Sequence, residues 1–188
     1  MNLVVDIGNT HTKLAWFEGG RIIDSLRFSG EEDVDFYEII HRNVAEKAIV
    51  SSVGKQTTGL VKHLENTFRM LVLLDHTTPL PIQIRYETPE TLGRDRIAGC
   101  AGAKYLFPDS NALVIDMGTT ITIDFINSAG EFMGVNISPG MVSRFRALHE
   151  FTARLPLVEP DGTFPHHGTD TRTAMVGGVQ QGIVGVDY

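Results

Sequence analysis

The chain has 188 residues, 42% of them hydrophobic and 21% charged, with a formal charge of −7. That balance argues against a broad polyanion-binding face, which needs clustered lysine and arginine, and no apolar run reaches the roughly 18 residues of a membrane span. The single cysteine, Cys100, excludes an internal disulfide and fits a reducing compartment. With no basic leader ahead of the first apolar run, the expectation is a soluble cytoplasmic protein of one large or two small domains, with no nucleic-acid and no membrane partner.

In chain order, residues 2–6 (NLVVD) form a short β-rich run ended by Ile7-Gly8. Residues 10–17 and 21–28 follow, split by Glu18-Gly19-Gly20, and together these read as a three-strand meander with tight turns. Residues 33–44 place Phe36, Ile39, Ile40 and Val44 at helical spacing. A buried-type strand at 48–53 comes next, then a helix marked by Leu60, Val61, Leu64 and Phe68, then a strand at 70–74. The first part is thus βββαβαβ.

An extended, proline-marked stretch covers 78–89, with Ile82, Ile84 and Tyr86 alternating. TLGRDRIAGCAGAKYLF then predicts a helix with Ile97, Ala101, Lys104 and Tyr105 near one stripe, ended at Pro108-Asp109-Ser110. Strands are expected again at 112–116, 120–126 and 131–137, with a turn at Ser128-Ala129-Gly130. Met141, Phe145 and Leu148 predict a helix, 151–168 reads as loop, and 171–186 as a last helix with Ala174, Met175, Val179 and Ile183 on one side. Four glycines in that helix imply close backbone packing or an irregular helix. The second part therefore restarts the pattern of the first, an internal repeat, and by that symmetry stops before a second βαβ. An unpaired strand at 112–116 would then be a bare apolar edge.

One string is written twice: DIGNTHTK from Asp6 and DMGTTITI from Asp116. A strand ending in aspartate, then glycine, then threonine has a physical use. Glycine lets the backbone turn sharply and approach an anion, and successive N–H groups can point at phosphate oxygens. The hydroxyl of Thr10 or Thr119 can donate to the same oxygens, and the aspartate can hold a cation or its waters. Two such hairpins facing across a cleft would grip a nucleoside triphosphate, with Lys13 in reach of a phosphate. Either string alone is also ordinary hairpin chemistry.

With TLGRDRIAG, VIDMGTTITIDFI and GVNISPGM, these strings resemble the type III pantothenate kinase family, bacterial enzymes of coenzyme A biosynthesis within the actin, Hsp70 and sugar-kinase superfamily. The resemblance implies an α/β, duplicated ribonuclease-H-like (actin-like ATPase) fold. The first repeat would cover 1–77, a connecting segment with the GRDR helix 78–110, and a second repeat, incomplete at its C-terminus, 111–188. It implies transfer of the ATP γ-phosphoryl group to pantothenate by a homodimer.

Carried over by motif, Asp95 is the general base, flanked by two arginines that would keep it ionised; a helix N-cap is the plainer alternative. Gly93, Arg94 and Arg96 would meet the substrate, whose carboxylate suits a guanidinium. Tyr86 and Thr171 would contact it too, against the alternatives of a strand side chain and an N-cap. Asp6, Ile7, Gly8, Asn9, Thr10, His11, Thr12 and Lys13 match the ATP loop, and Thr119 the second phosphate contact. Asp116 matches a monovalent-cation site for K+ or NH4+, and Mg2+ would arrive with ATP near Asp6. Asp124 reads as a sheet-face residue, Met141 and Met175 as core, and Cys100 as packing on the GRDR helix. His166-His167 lacks metal-site spacing.

The second loop reads DMGTT where the family has DxGTA. Two further functions fit the same scaffold: a non-catalytic nucleotide-binding regulator, and a kinase for another small hydroxyl compound.

Overall fold

Alternation builds the first sheet. Leu3 and Val5 on the first strand, β1 (Asn2–Ile7), lie opposite Trp16 and Leu14 on β2 (His11–Glu18), and all four are buried. A period of two sends these side chains to one face. Gly19 and Gly20, at φ +55° and +80°, supply the left-handed pair that a two-residue link to β3 (Arg21–Ser29) requires. The computed structural model describes residues 1–29, 36–52, 58–160 and 162–185. The remaining elements of this part of the chain are α1 (Phe36–Ile40), β4 (Lys47–Ser52), α2 (Thr58–Thr67) and β5 (Met70–Leu73).

The order in this sheet is β3-β2-β1-β4-β5, with β4 parallel to β1 and β5 parallel to β4. Ile40 of α1 and Leu64 of α2 close over Leu3, Val5, Leu14, Trp16, Ala48 and Val50, with Phe68 at the margin. The predicted element order therefore holds, with two corrections to side-chain placement. The first is Val44, which is 85% exposed, because α1 ends at Ile40 and i→i+3 bonds from the His41 and Arg42 amides close it. Residues 33–35 of the predicted helix, 53 of the predicted strand, 161 of the predicted loop and 186 of the last helix lie outside the described residues.

Next come β6 (Gln83–Ile84), a 3-10 turn at Pro89–Thr91, and α3 (Arg94–Leu106). They are followed by β7 (Ala112–Met117), β8 (Thr120–Ile126), β9 (Glu131–Pro139), α4 (Met141–Glu150) and α5 (Thr171–Val184). The second sheet has the order β6-β9-β8-β7. Strand β7 ends it, with Leu113, Ile115 and Met117 exposed.

The chain divides into two compact units. The first is Met1–Val114 with Asp124–Gly134. It holds the core described above and a second one, in which Ile97 and Cys100 of α3 meet Leu74, Leu92, Ile126 and Phe132. Ile82, Ile84 and Tyr86, the predicted alternating stripe, pack on that second core. The second correction lies here: the buried side of α3 is Arg96, Ile97 and Cys100, so Tyr105, expected on the stripe, instead stands 78% exposed.

The second unit is Ile115–Ile123 with Val135–Tyr188. Its core joins Phe145 of α4 to Met175, Val176 and Val179 of α5, with Met141 and Leu148 packed alongside. Two glycines of the predicted last helix have a physical reason. A Cβ on Gly177 would come 2.5 Å from the Pro165 carbonyl oxygen, and Gly185 ends the helix at φ +78°. Gly178 and, in α3, Gly102 have nothing within 4 Å of an added Cβ. Replacing the exposed Gly102 by alanine should therefore stabilise the protein by about 0.5–1 kcal/mol, read as a higher denaturant midpoint.

Candidate active site

Gly93 caps α3 with backbone alone, at φ −58° and ψ 133°. Asp95 is the second residue of the helix, so it is not the N-cap; its Oδ1 accepts from the Arg96 amide at 2.9 Å. A Cβ on Gly93 would lie 2.5 Å from that oxygen, so the glycine leaves room for the carboxylate. A carboxylate in the first turn is also favoured by the helix dipole. Arg94 Nη1 donates to the Ser52 carbonyl at 2.7 Å. Ser52 is the register partner of Ile7, the residue before Gly8. The first turn of α3 is thereby tied to the strand ends from which the first glycine loop departs.

Arg96 turns the other way. Its Nε donates to both oxygens of Asp124, at 3.0 and 3.1 Å, and its Nη2 to Oδ1 at 2.5 Å. Arg96 is 9% exposed and Asp124 1%. The guanidinium carbon lies 5.5 Å from the Tyr86 ring centroid and 6.0 Å from that of Phe132. The hydrogen bonds that Arg96 donates to the Asp124 carboxylate raise the Arg96 pKa above its usual range, against the opposing effect of burial. Gly134, at φ +71°, makes room for Tyr86: a Cβ there would be 2.7 Å from the ring.

Cys100 is buried beside this pair, and burial, followed by the Asp124 charge, pushes its thiol up to about 12. It is a packing residue with no accessible thiolate. A thiol-alkylating reagent at neutral pH should leave the native protein unlabelled by intact mass and add one label once it is unfolded.

In the first loop, the Gly8 amide donates to the His11 carbonyl at 3.0 Å, and a Cβ on Gly8 would press on that same oxygen at 3.1 Å. Asp6 and Lys13 face each other across β1 and β2, with Oδ2 and Nζ 3.7 Å apart. They border a groove of about 490 Å³ that Arg27 and Ser25 of β3 also line. Arg27 is the register partner of Lys13, and its Nη2 lies 3.2 Å from His11 Nδ1.

In the second unit, the Gly118 amide donates to the Thr120 carbonyl at 2.9 Å, a ring one residue shorter than in the first loop. The same string therefore closes differently. The Thr119 carbonyl accepts from the Gly140 amide at 2.9 Å and from Ser143 Oγ at 2.6 Å, which pins the loop to the start of α4. Asp116 is exposed on β7.

Thr171 is the first residue of α5, and Asp170 before it is the cap, in a reciprocal box with Thr173. The cap bonds from Thr173 hold the Asp170 carboxyl below its usual range. Thr171 borders a cavity of about 880 Å³ between α4 and α5, lined also by Arg144, Leu148, Phe151 and Met175. Among the described residues no three His, Cys, Asp or Glu side chains gather as a metal cage.

Residues 2–186 match the sequence profile of type III pantothenate kinase. A type III pantothenate kinase of Bacteroides fragilis is 42% identical over 183 residues, which are 97% of this chain and 75% of the relative. One from Azobacteroides pseudotrichonymphae is 40% identical over 98% of this chain and 75% of its own. The chain belongs to the type III pantothenate kinase family. Its fold is shared with a solved Campylobacter jejuni protein described as a Baf-family transcriptional activator, at TM-score 0.60, 22% identity, 97% of this chain and 75% of that one.

Within this type III pantothenate kinase chain, the first unit brings together Tyr86, Gly93, Arg94, Asp95 and Arg96 at one end of α3, while Asp116, Thr119 and Thr171 belong to the second unit. Sequence reasoning missed Arg27 and the pairing of Asp124. The alternation TITID on β8 marks Asp124 as sharing a face with Thr120 and Thr122, and Thr122 is buried; a carboxylate in a buried strand is itself a signal of a partner. For Arg27, the Gly19-Gly20 turn by itself would set Leu26 across from Lys13; the register shift between Trp16 and Phe17 brings Arg27 there instead, and no local pattern marks that shift.

Proposed function

We propose that this chain catalyses ATP-dependent phosphorylation of pantothenate to 4′-phosphopantothenate, the reaction named for its relatives. The observation that carries the reading is the Arg94–Ser52 hydrogen bond, since it ties the turn bearing Asp95 to the strand ends that lead into the Gly8 loop. A kinase needs this neighbourhood: a carboxylate for the acceptor hydroxyl beside a backbone loop for the phosphates.

Asp95 accepts the proton of the pantothenate hydroxyl as its oxygen bonds to phosphorus and the β–γ bridge breaks, leaving ADP. Arg94, Arg96, Gly93, Tyr86 and Thr171 orient the acceptor. The residues of the first loop, Asp6 to Lys13, hold the nucleotide with Thr119. They fit that role, since a side chain on Gly8 would press on the His11 carbonyl, and Lys13 keeps an exposed ammonium beside the loop. ATP supplies the phosphoryl group. Mg2+ would be held near Asp6, and K+ or NH4+ at Asp116, whose carboxylate is exposed next to the second loop.

In this reading 1–77 and 111–188 are copies of one ribonuclease-H-like unit joined by 78–110; the recurrence of three strands with an Asp-x-Gly corner supports it. A homodimer and a cytoplasmic location complete the proposal. No helix among the described residues is long and apolar enough to cross a membrane.

The test is mass-spectrometric detection of phosphopantothenate from purified protein, ATP and pantothenate. Transfer to a sugar but not to pantothenate would replace the substrate, and ATP binding with no transfer to any small alcohol would overturn the enzyme.

A further inference from the structure

Asp124 is the most buried charged side chain of the described residues, and nothing in the phosphoryl transfer derived above uses it. Burying an ion pair is seldom the most stable way to fill a core; apolar side chains of similar volume commonly do as well or better. What the pair supplies is direction. Nε and Nη2 of Arg96 are committed to the carboxylate, and the two aromatic rings lie 5.5 and 6.0 Å from the guanidinium carbon. A fork held on one edge and flanked by rings has one orientation, and its Nη1 takes no part in the Asp124 bonds. Unheld, a long side chain at the start of a helix would sample several rotamers, and ordering it at each binding event costs affinity.

We propose that Asp124 is a positioning residue for substrate binding: it fixes the Arg96 guanidinium in the orientation that meets pantothenate. The inference rests on the reading that Arg96 contacts the substrate. It separates the two arginines of the GRDR string. Arg94 fastens the helix to the sheet, and Arg96, with its charge balanced by Asp124, offers the substrate a directed N–H rather than a bare positive charge.

Asp124→Asn tests it, because asparagine keeps the size and one accepting oxygen. KM for pantothenate should rise about tenfold or more, with kcat within about threefold and KM for ATP unchanged. Arg96→Gln should raise the same KM, and the double variant should raise it no further than Arg96→Gln alone. Arg96→Lys, which keeps the charge but loses the fork, should behave like Arg96→Gln. It also keeps the test open should Asp124→Asn fail to fold. The inference is overturned if Asp124→Asn shifts both KM values together, if it lowers the thermal midpoint alone, or if Arg96→Lys binds pantothenate as the parent does. If Arg96→Gln leaves the pantothenate KM unchanged, the underlying substrate assignment falls first.

Discussion

Asp95→Asn should lower kcat about 10²–10⁴-fold, the usual contribution of a positioned general base, while the protein stays folded. Asparagine keeps the oxygen that accepts from the Arg96 amide, so the start of α3 retains its hydrogen bond. The Ser52 bond runs through Arg94 and is untouched. What is lost is the ability to take a proton from the acceptor hydroxyl. The effect therefore belongs in kcat, with the KM for ATP near its parent value. Coupled ADP release measures turnover, and a thermal melt followed by circular dichroism checks the fold. Normal turnover with an unchanged melt would remove Asp95 from the chemistry and leave it a first-turn carboxylate that favours the helix dipole.

Gly140→Ala should damage both stability and nucleotide affinity. A Cβ there would overlap the Gly118 carbonyl oxygen and lie 2.9 Å from that of Thr119. Both obstacles are backbone, so no rotamer change relieves them. The backbone at Gly140 is itself ordinary, at φ −69° and ψ 171°, so the penalty comes from contact and not from conformation. Overpacking of this kind costs about 1–3 kcal/mol. The strain falls on the loop that Gly140 and Ser143 hold by the Thr119 carbonyl. The KM for ATP should rise accordingly, and urea unfolding should show the lost stability. Gly102→Ala is the matched control, since a methyl there meets nothing within 4 Å. If both alanine variants behave alike, the contact at Gly140 does not govern the loop.

Much of this is legible along the chain. Periods of two place Leu3, Val5, Leu14 and Trp16 on one face, and Gly19-Gly20 places the hairpin. The GRDR and Asp-x-Gly strings point to the family and to the candidate site. Sequence patterns mislead where a stripe extends past a helix's end, as at Val44, or is drawn one position too wide, as at Tyr105. Threonine is a good cap, which makes Thr171 a natural choice, yet Asp170 before it is a better one and takes the Thr173 amide.

Element order, strand faces and family can be read along the chain, because they are written in spacings of two to four residues and in short strings. It takes the folded arrangement to show that Arg96 commits its fork to Asp124, 28 residues away, and that Arg94 reaches Ser52, 42 residues back. The same holds for Gly140, wedged against the Gly118 carbonyl. Such pairings depend on which strand lies beside which, and a local pattern carries no record of that choice.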